Sequence, residues 1–254
     1  MAGWNGRVII KASDVAACIG RHQYKARSEV LNEIWKKNWP ETFTGQTKTD
    51  KAREILQISP EAQKVLSSAI AVKARDSAEV QTVFTKAKEA INSDPKLSTV
   101  QKAEVIEHVR SQVYTTHGTR SEDKTSDKVE VDEKVRLVRD NSFYDLDVCT
   151  IDGVKFVVCG KIDRIEERPD GARVLVEIKN RTNRLFRRVV EYEFVQVQVY
   201  LQMLGLVDAR LVEQYNNQVL SHAIARDEKT WTNEILPGLV DFCNELLSKA
   251  SGKE

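Results

Sequence analysis

Gly160-Lys161-Ile162-Asp163, a turn at Pro169-Asp170-Gly171, and then Val174-Leu175-Val176-Glu177-Ile178-Lys179 form the stretch from which the rest of this chain is best understood. The two apolar runs predict short strands that bring an aspartate, a glutamate and a lysine to one place. Burying charge is costly unless it is paired or bound to a metal, so an acid at the end of each run and a lysine two residues beyond the second stand out. Side chains two apart on a strand share a face, which points Glu177 and Lys179 one way and Ile178 the other. Two carboxylates beside an ammonium can hold a divalent cation and activate water. The blander alternative for the trio is a salt-bridge network at strand ends.

The chain around this stretch has 254 residues, 41% of them hydrophobic, enough for a sizeable core in one large domain or two small ones. A formal net charge of +1 with 30% charged residues excludes the strongly basic signature of a general nucleic-acid coat protein, while leaving room for a local basic patch. Cys18, Cys149, Cys159 and Cys243 contain no C-x-x-C pair, so a zinc ribbon or dithiol motif is not suggested and reduced, mostly buried thiols are expected. No stretch approaches a membrane span and no signal segment opens the chain, which predicts a soluble intracellular protein.

In chain order, Val8-Ile9-Ile10 is too short to assign alone. A helix is expected after Ser13 as N-cap, stopping at Gly20, and a second over Ser28 to Lys37. Residues 40–58 are polar and aperiodic and predict a loop. Ser59-Pro60 opens a long helical region that breaks near Asp76-Ser77 and ends at Asp94-Pro95. Ser98 and Gln101 form a capping box for a helix carrying Val105, Ile106, Val109 and Val113. His117-Gly118 then reads as a turn, with Glu122 on the first turn of the next helix. From Lys128 the pattern alternates, with Val131, Val135 and Leu137 beginning an antiparallel meander that leads into the strand bearing Asp163. A buried helix from Glu191 to Gly205, two strands around Asn216-Asn217 and a closing helix from Trp231 to Lys249 complete the reading.

Asp163 followed by Glu177-x-Lys179 matches the Asp…Glu-x-Lys pattern of the PD-(D/E)xK nuclease superfamily, and Gln196-Val-Gln-Val-Tyr200 matches the Gln-x-x-x-Tyr signature of its RecB-like branch. Gly118 to Glu122 resembles the Gly-x-x-x-(Glu or His) element that precedes the catalytic strands there. Ser13-Asp14-Val15-Ala16-Ala17-x-Ile19-Gly20, then Tyr24 and Trp35, resembles the N-terminus of YqaJ-type viral recombinases, the family that includes phage lambda exonuclease. The resemblance covers residues 117–220 strongly and 7–37 more loosely, and leaves 40–112 unmatched.

This resemblance implies an α/β fold with a restriction-endonuclease-like core, a central mixed β-sheet flanked by helices, to which the helical periodicity adds a further helical block. Along the chain this gives an N-terminal helical part of the nuclease domain over 1–58, a helical insertion or arm over 59–116 read from its apolar spacing and caps, and the nuclease core over 117–254. Asp163, Glu177, the main-chain carbonyl of Ile178 and Glu122 would hold one or two Mg2+ or Mn2+ ions, hard cations suited to oxygen ligands. Lys179 would position or deprotonate the attacking water, with Gln196 and Tyr200 beside it. Arg181, Arg184, Arg187 and Arg188 would grip phosphates, and Arg7 and Ser13 would line a pocket for a terminal 5′ phosphate. The function so implied is a metal-dependent DNA exonuclease of recombination or repair, with a structure-specific endonuclease or a non-catalytic nucleic-acid-binding module as alternatives. DNA is the implied partner, and a single-strand annealing or recombination protein, homo-oligomeric assembly and a viral source, with a host cytoplasm or nucleus as location, are compatible with it.

Overall fold

A computed structural model describes residues 6–252. The chain opens with β1 (Arg7–Lys11), a tight turn at Ala12–Asp14, α1 (Val15–Cys18) and α2 (Arg27–Asn38). Ser13 caps neither turn nor helix, because no side-chain cap bond is made at either start. Four helices follow: α3 (Lys48–Ile58), α4 (Pro60–Ala71), α5 (Ser77–Asn92) and α6 (Thr99–Glu133). Then come β2 (Arg136–Arg139), β3 (Tyr144–Ile151), β4 (Val154–Gly160), β5 (Arg164–Glu167) and β6 (Arg173–Asn180). The chain closes with α7 (Glu191–Leu204), β7 (Asp208–Tyr215), β8 (Gln218–Ala225), the single turn α8 (Glu228–Thr230), a π-helical turn and α9 (Leu236–Ala250). Among the described residues no helix is long and apolar enough to cross a membrane.

The fold is mixed α/β with two sheets. One runs β1-β4-β3, with β1 parallel to β4; the other runs β2-β5-β6-β7-β8, with β6 and β7 parallel and the other pairs antiparallel. Parallel neighbours need a long crossover, and α7 supplies it between β6 and β7. The expected meander is therefore corrected: β3 and β4 form a hairpin, but β2 pairs with β5 in the other sheet. Asp163 lies in the bend where the chain passes from one sheet to the other, just before β5, and Glu177 sits inside β6 rather than at its end. Val195, Val197, Val199 and Leu201 of α7 pack in one core with Val8 and Ile10 of β1, Phe156 and Val158 of β4, and Phe242 and Leu246 of α9. Val129 of α6 covers the opposite face of the larger sheet, against Val176, Ile178 and Val212.

Residues 48–58 are helical, not loop. Thr47 accepts the Asp50 N–H at 3.1 Å, the Asp50 carboxylate accepts the Thr47 N–H in return, and Ala52, Ile55 and Leu56 are buried. Ile55 and Leu56 join a second core with Leu66 of α4, Val80 and Ile91 of α5, and Val105 and Val109 of α6. The expected caps at Ser59 and Ser98 are made, and Asp76 caps α5. The predicted turn at Gly118 is absent: α6 runs unbroken for 35 residues, about 50 Å at 1.5 Å per residue. Glu122 is thus in mid-helix, and Val131, expected in a strand, is an exposed helical residue. The buried side of this later half is polar, formed by His117, Thr125 and Ser126 as well as Val129.

Gly160 ends β4 where space is scarcest. A Cβ there would stand 2.7 Å from the ring of Tyr200 and 3.0 Å from the methyl of Ala12, and Tyr200 is only 4% exposed. Gly160→Ala should lower the unfolding free energy by about 1–3 kcal/mol through overpacking. Chemical denaturation checks this, and a variant as stable as wild type would show that the Tyr200 ring has room to move.

Candidate active site

Glu177 and Lys179 point from β6 toward α7 as their two-residue spacing requires. The Lys179 ammonium donates to Glu177 Oε1 at 2.7 Å and to the Gln196 side-chain oxygen at 3.2 Å. Gln196 in turn donates through Nε2 to the Tyr200 hydroxyl at 3.4 Å. A continuous relay therefore joins four of the expected residues. Asp163 reaches the same strand from its bend, where Oδ2 accepts the Ile178 N–H at 2.7 Å. In an extended strand the N–H and C=O of one residue face the same edge, so the Ile178 carbonyl also faces the side on which Asp163 lies.

The charges here are out of balance. Glu177 is 3% exposed, and its Oε2 is buried without a hydrogen-bond partner. Burial, then the charge of Asp163, raises the Glu177 pKa above the usual carboxylate range, against the pull of Lys179. Burial likewise raises Asp163, opposed by Lys179 and reinforced by Glu122. Glu122 is raised by burial and by Glu177. Three carboxyls thus feel one another beside the later half of β6. Burial works against the Lys179 ammonium, but the charges of Glu177 and Asp163 outweigh it and hold its pKa above the ordinary lysine value.

An oxygen-only donor set with surplus negative charge and an orphaned buried oxygen fits a hard divalent cation. Among the described residues, however, no three His, Cys, Asp or Glu side chains stand at ligating distance from a common point. Lys179 occupies one oxygen of Glu177 and the Ile178 amide one of Asp163, so these side chains are held by protein donors.

Two residues not singled out above fix this geometry. Arg164, 4% exposed, donates to the Asp163 carbonyl at 2.6 Å and to Ser126 Oγ at 2.9 Å, and it also pairs with Asp123. Asn180 donates to the Gly118 carbonyl at 3.0 Å and accepts from Thr125 Oγ1 at 2.6 Å. Together they clamp α6 to the bend and to β6, which places Glu122. Adjacency in the sequence to Asp163 and to Lys179 was the signal available for both.

The expected phosphate-binding residues divide. Arg181 is buried: its guanidinium bonds both oxygens of Glu193 on α7, at 2.6 and 2.8 Å, and Glu213 on β7 at 2.8 Å, beneath the Phe186 ring. All three nitrogens are used by the fold, which corrects its assignment as a phosphate contact. Arg184, Arg187 and Arg188 are exposed on the following loop. Ser13 is exposed, one residue beyond the Ala12 methyl that faces Gly160. Arg7 is ion-paired with Asp145, with Cys159 Sγ at 3.8 Å, and remains partly exposed.

A family model described as the PD-(D/E)XK nuclease superfamily matches residues 20–235. No curated protein matches the chain. Among solved structures, an alkaline exonuclease from Laribacter hongkongensis is similar at 16% identity, over 75% of this chain and 89% of that one, with a TM-score of 0.43. A phage-related exonuclease from Haemophilus somnus 129PT is similar at 13% identity, over 70% of this chain and 96% of that one, with a TM-score of 0.40.

With its pKa raised, the Glu177 carboxyl holds a proton in the folded chain at pH values where the unfolded chain has lost it. Its contribution to stability is complete below the ordinary carboxylate range, about pH 4, and is lost as pH rises through the raised range. In metal-free buffer, the stability of wild type relative to Glu177→Gln should therefore fall by about 1–3 kcal/mol between about pH 4 and about pH 8. Denaturant unfolding across that range measures it; a flat difference would mean that Glu177 titrates like a surface acid.

Proposed function

Because the chain belongs to the PD-(D/E)XK nuclease superfamily, we propose that it is a divalent-metal-dependent deoxyribonuclease that degrades DNA from its ends in recombination or repair. The observation that carries this reading is the buried, unpartnered Oε2 of Glu177 among Asp163 and Glu122, with Lys179 held alongside. Asp163, Glu177, Glu122 and the Ile178 carbonyl would hold Mg2+ or Mn2+. What such an ion supplies when bound is Lewis acidity toward water and toward the phosphate.

The chain's own groups do the remaining work. Lys179, whose pKa Glu177 and Asp163 hold above the ordinary lysine value, would position the attacking water or help deprotonate it and stabilise negative charge growing on the phosphate. Gln196 holds that ammonium through its side-chain oxygen, and Tyr200 fixes Gln196 from behind. Exposed Arg184, Arg187 and Arg188 supply salt-sensitive grip on the DNA backbone. Ser13 supports end recognition by its exposed place next to the Gly160 and Tyr200 contact. Arg7 would share its guanidinium between Asp145 and a terminal phosphate.

Lys179→Ala should lose cleavage by about 100-fold or more while keeping its fold, checked by circular dichroism, and its affinity for duplex DNA. The assay uses end-labelled linear duplex, single-stranded DNA and covalently closed circles with Mg2+ or Mn2+. Wild type should consume the linear substrates and spare the circles. Cleavage by the variant at the wild-type rate would overturn the site assignment, and cutting of closed circles by wild type would replace end-dependent degradation with endonuclease action.

A further inference from the structure

Tyr192, Gln196 and Tyr200 follow one another at four-residue intervals on α7 and so form a single ridge. Tyr200 is buried at one end and Gln196 holds Lys179 in the middle. One turn further out, about 6 Å along the axis, Tyr192 is half-buried at the edge of the main core. Its ring stacks on His22, with centroids 4.5 Å apart and planes at 30°. Tyr24 stands edge-on to both, 6.1 Å from Tyr192 and 6.3 Å from His22.

This cluster is not a closed packing unit, since Tyr24 is 71% exposed. His22 Nδ1 accepts the N–H of Tyr24 at 3.2 Å and of Lys25 at 3.0 Å, which fixes the imidazole and the backbone that carries Tyr24. Burial, then the charge of Lys25, lowers the His22 pKa and keeps the ring neutral. A fixed, uncharged aromatic group open to solvent and continuous with the catalytic ridge suits a flat, polar, π-faced ligand that reaches Lys179 at the same time. A nucleobase one step from the reacting phosphate has those properties, and stacking on aromatic side chains tolerates every base.

We propose that His22, Tyr24 and Tyr192 form a stacking platform for the unpaired base of a nucleotide next to the phosphate being cleaved; the assignment rests on the nuclease reading above. The platform holds the end of a single strand, or a frayed duplex end, in line with Lys179. Its base contacts carry no sequence preference, and its partner is a polynucleotide rather than a free phosphate.

Tyr24→Ala tests this, because so exposed a side chain can be removed without unfolding the protein, as thermal melting would verify. Substrates are end-labelled oligonucleotides with either a normal or an abasic residue next to the terminal phosphodiester, and the same oligonucleotides carrying 2-aminopurine at that position. Wild type should favour the base-bearing end and quench 2-aminopurine on binding. Tyr24→Ala should raise KM by about tenfold with kcat little changed, lose most of the preference over the abasic end and quench less, while Tyr24→Trp keeps all three. Equal KM, equal abasic discrimination and equal quenching in Tyr24→Ala and wild type would overturn the platform while leaving the nuclease standing. A wild type inactive on every substrate with Mg2+ and Mn2+ would overturn the nuclease reading itself, and the quenching comparison would still decide whether the rings bind a base.

Discussion

Three carboxyls and one ammonium, mostly withdrawn from water beside the later half of β6, set the terms on which this fold is built. Glu177 cannot shed its charge into solvent, and Lys179 alone does not neutralise Glu177, Asp163 and Glu122. Burying unbalanced charge costs several kcal/mol unless partners compensate. A chain that needed only stability would have an apolar residue at position 177, as at the neighbouring Val176 and Ile178. Here the surrounding structure holds the surplus in place. Arg164 lends positive charge from behind Asp163, Gln196 fixes the ammonium, and Tyr200 packs so tightly against Gly160 that no side chain fits between them.

A second layer of buried charge keeps the elements in register. Arg181 lies two residues beyond Lys179 and ties β6 to α7 through Glu193 and to β7 through Glu213. Glu213 also accepts the backbone N–H groups of Phe186 and Arg187 and contacts His222. With this network satisfied, α7 presents Gln196 and Tyr200 at a set height over β6. Chemically identical guanidinium groups thus do different jobs within one short stretch: Arg181 is spent on the fold, whereas Arg184, Arg187 and Arg188 face water.

The parts of this architecture that were legible in the sequence have apolar periodicity or cap chemistry behind them. β6 and α7, the strands around Asn216-Asn217, the caps at Ser59 and Ser98 and the hairpin of β3 and β4 could all be read. Strand and helix spacings of two and four residues put Glu177 with Lys179 and Gln196 with Tyr200 on shared faces, while the meeting of the two pairs was implied by the resemblance to the nuclease motifs. What escaped was structure stabilised by polar burial or by distant pairing. The later half of α6 buries His117, Thr125 and Ser126, which carry no hydrophobic signal, and its glycine is tolerated at about 1 kcal/mol while Asn180 bonds the Gly118 carbonyl. α3 has three buried apolar residues and a Thr47 and Asp50 box easily taken for loop. The partner of β2 is not a local property at all, and neither is the burial of Arg181, whose two acids lie 12 and 32 residues further on.

These omissions converge on how the helical block relates to the site. α6 belongs to both: Val105 and Val109 lie in the helical core, while Thr125 and Ser126 bond the residues around Asp163 and Lys179. Arg120 donates to the carbonyls of Ile70 and Val72 and so caps the end of α4. At the start of α5, Ser77 donates to the Arg181 carbonyl at 2.8 Å, and Gln81 bonds Thr182 and Asn183. The block is therefore fastened on two sides of the strand that carries Glu177 and Lys179, by the helix before it and by the loop after it. A movement of α4 and α5 relative to α6 would be felt first at Arg181 and Asn183, directly beyond Lys179. The helices are in this sense a wall of the site, and the continuous run of α6 through Gly118 makes them so.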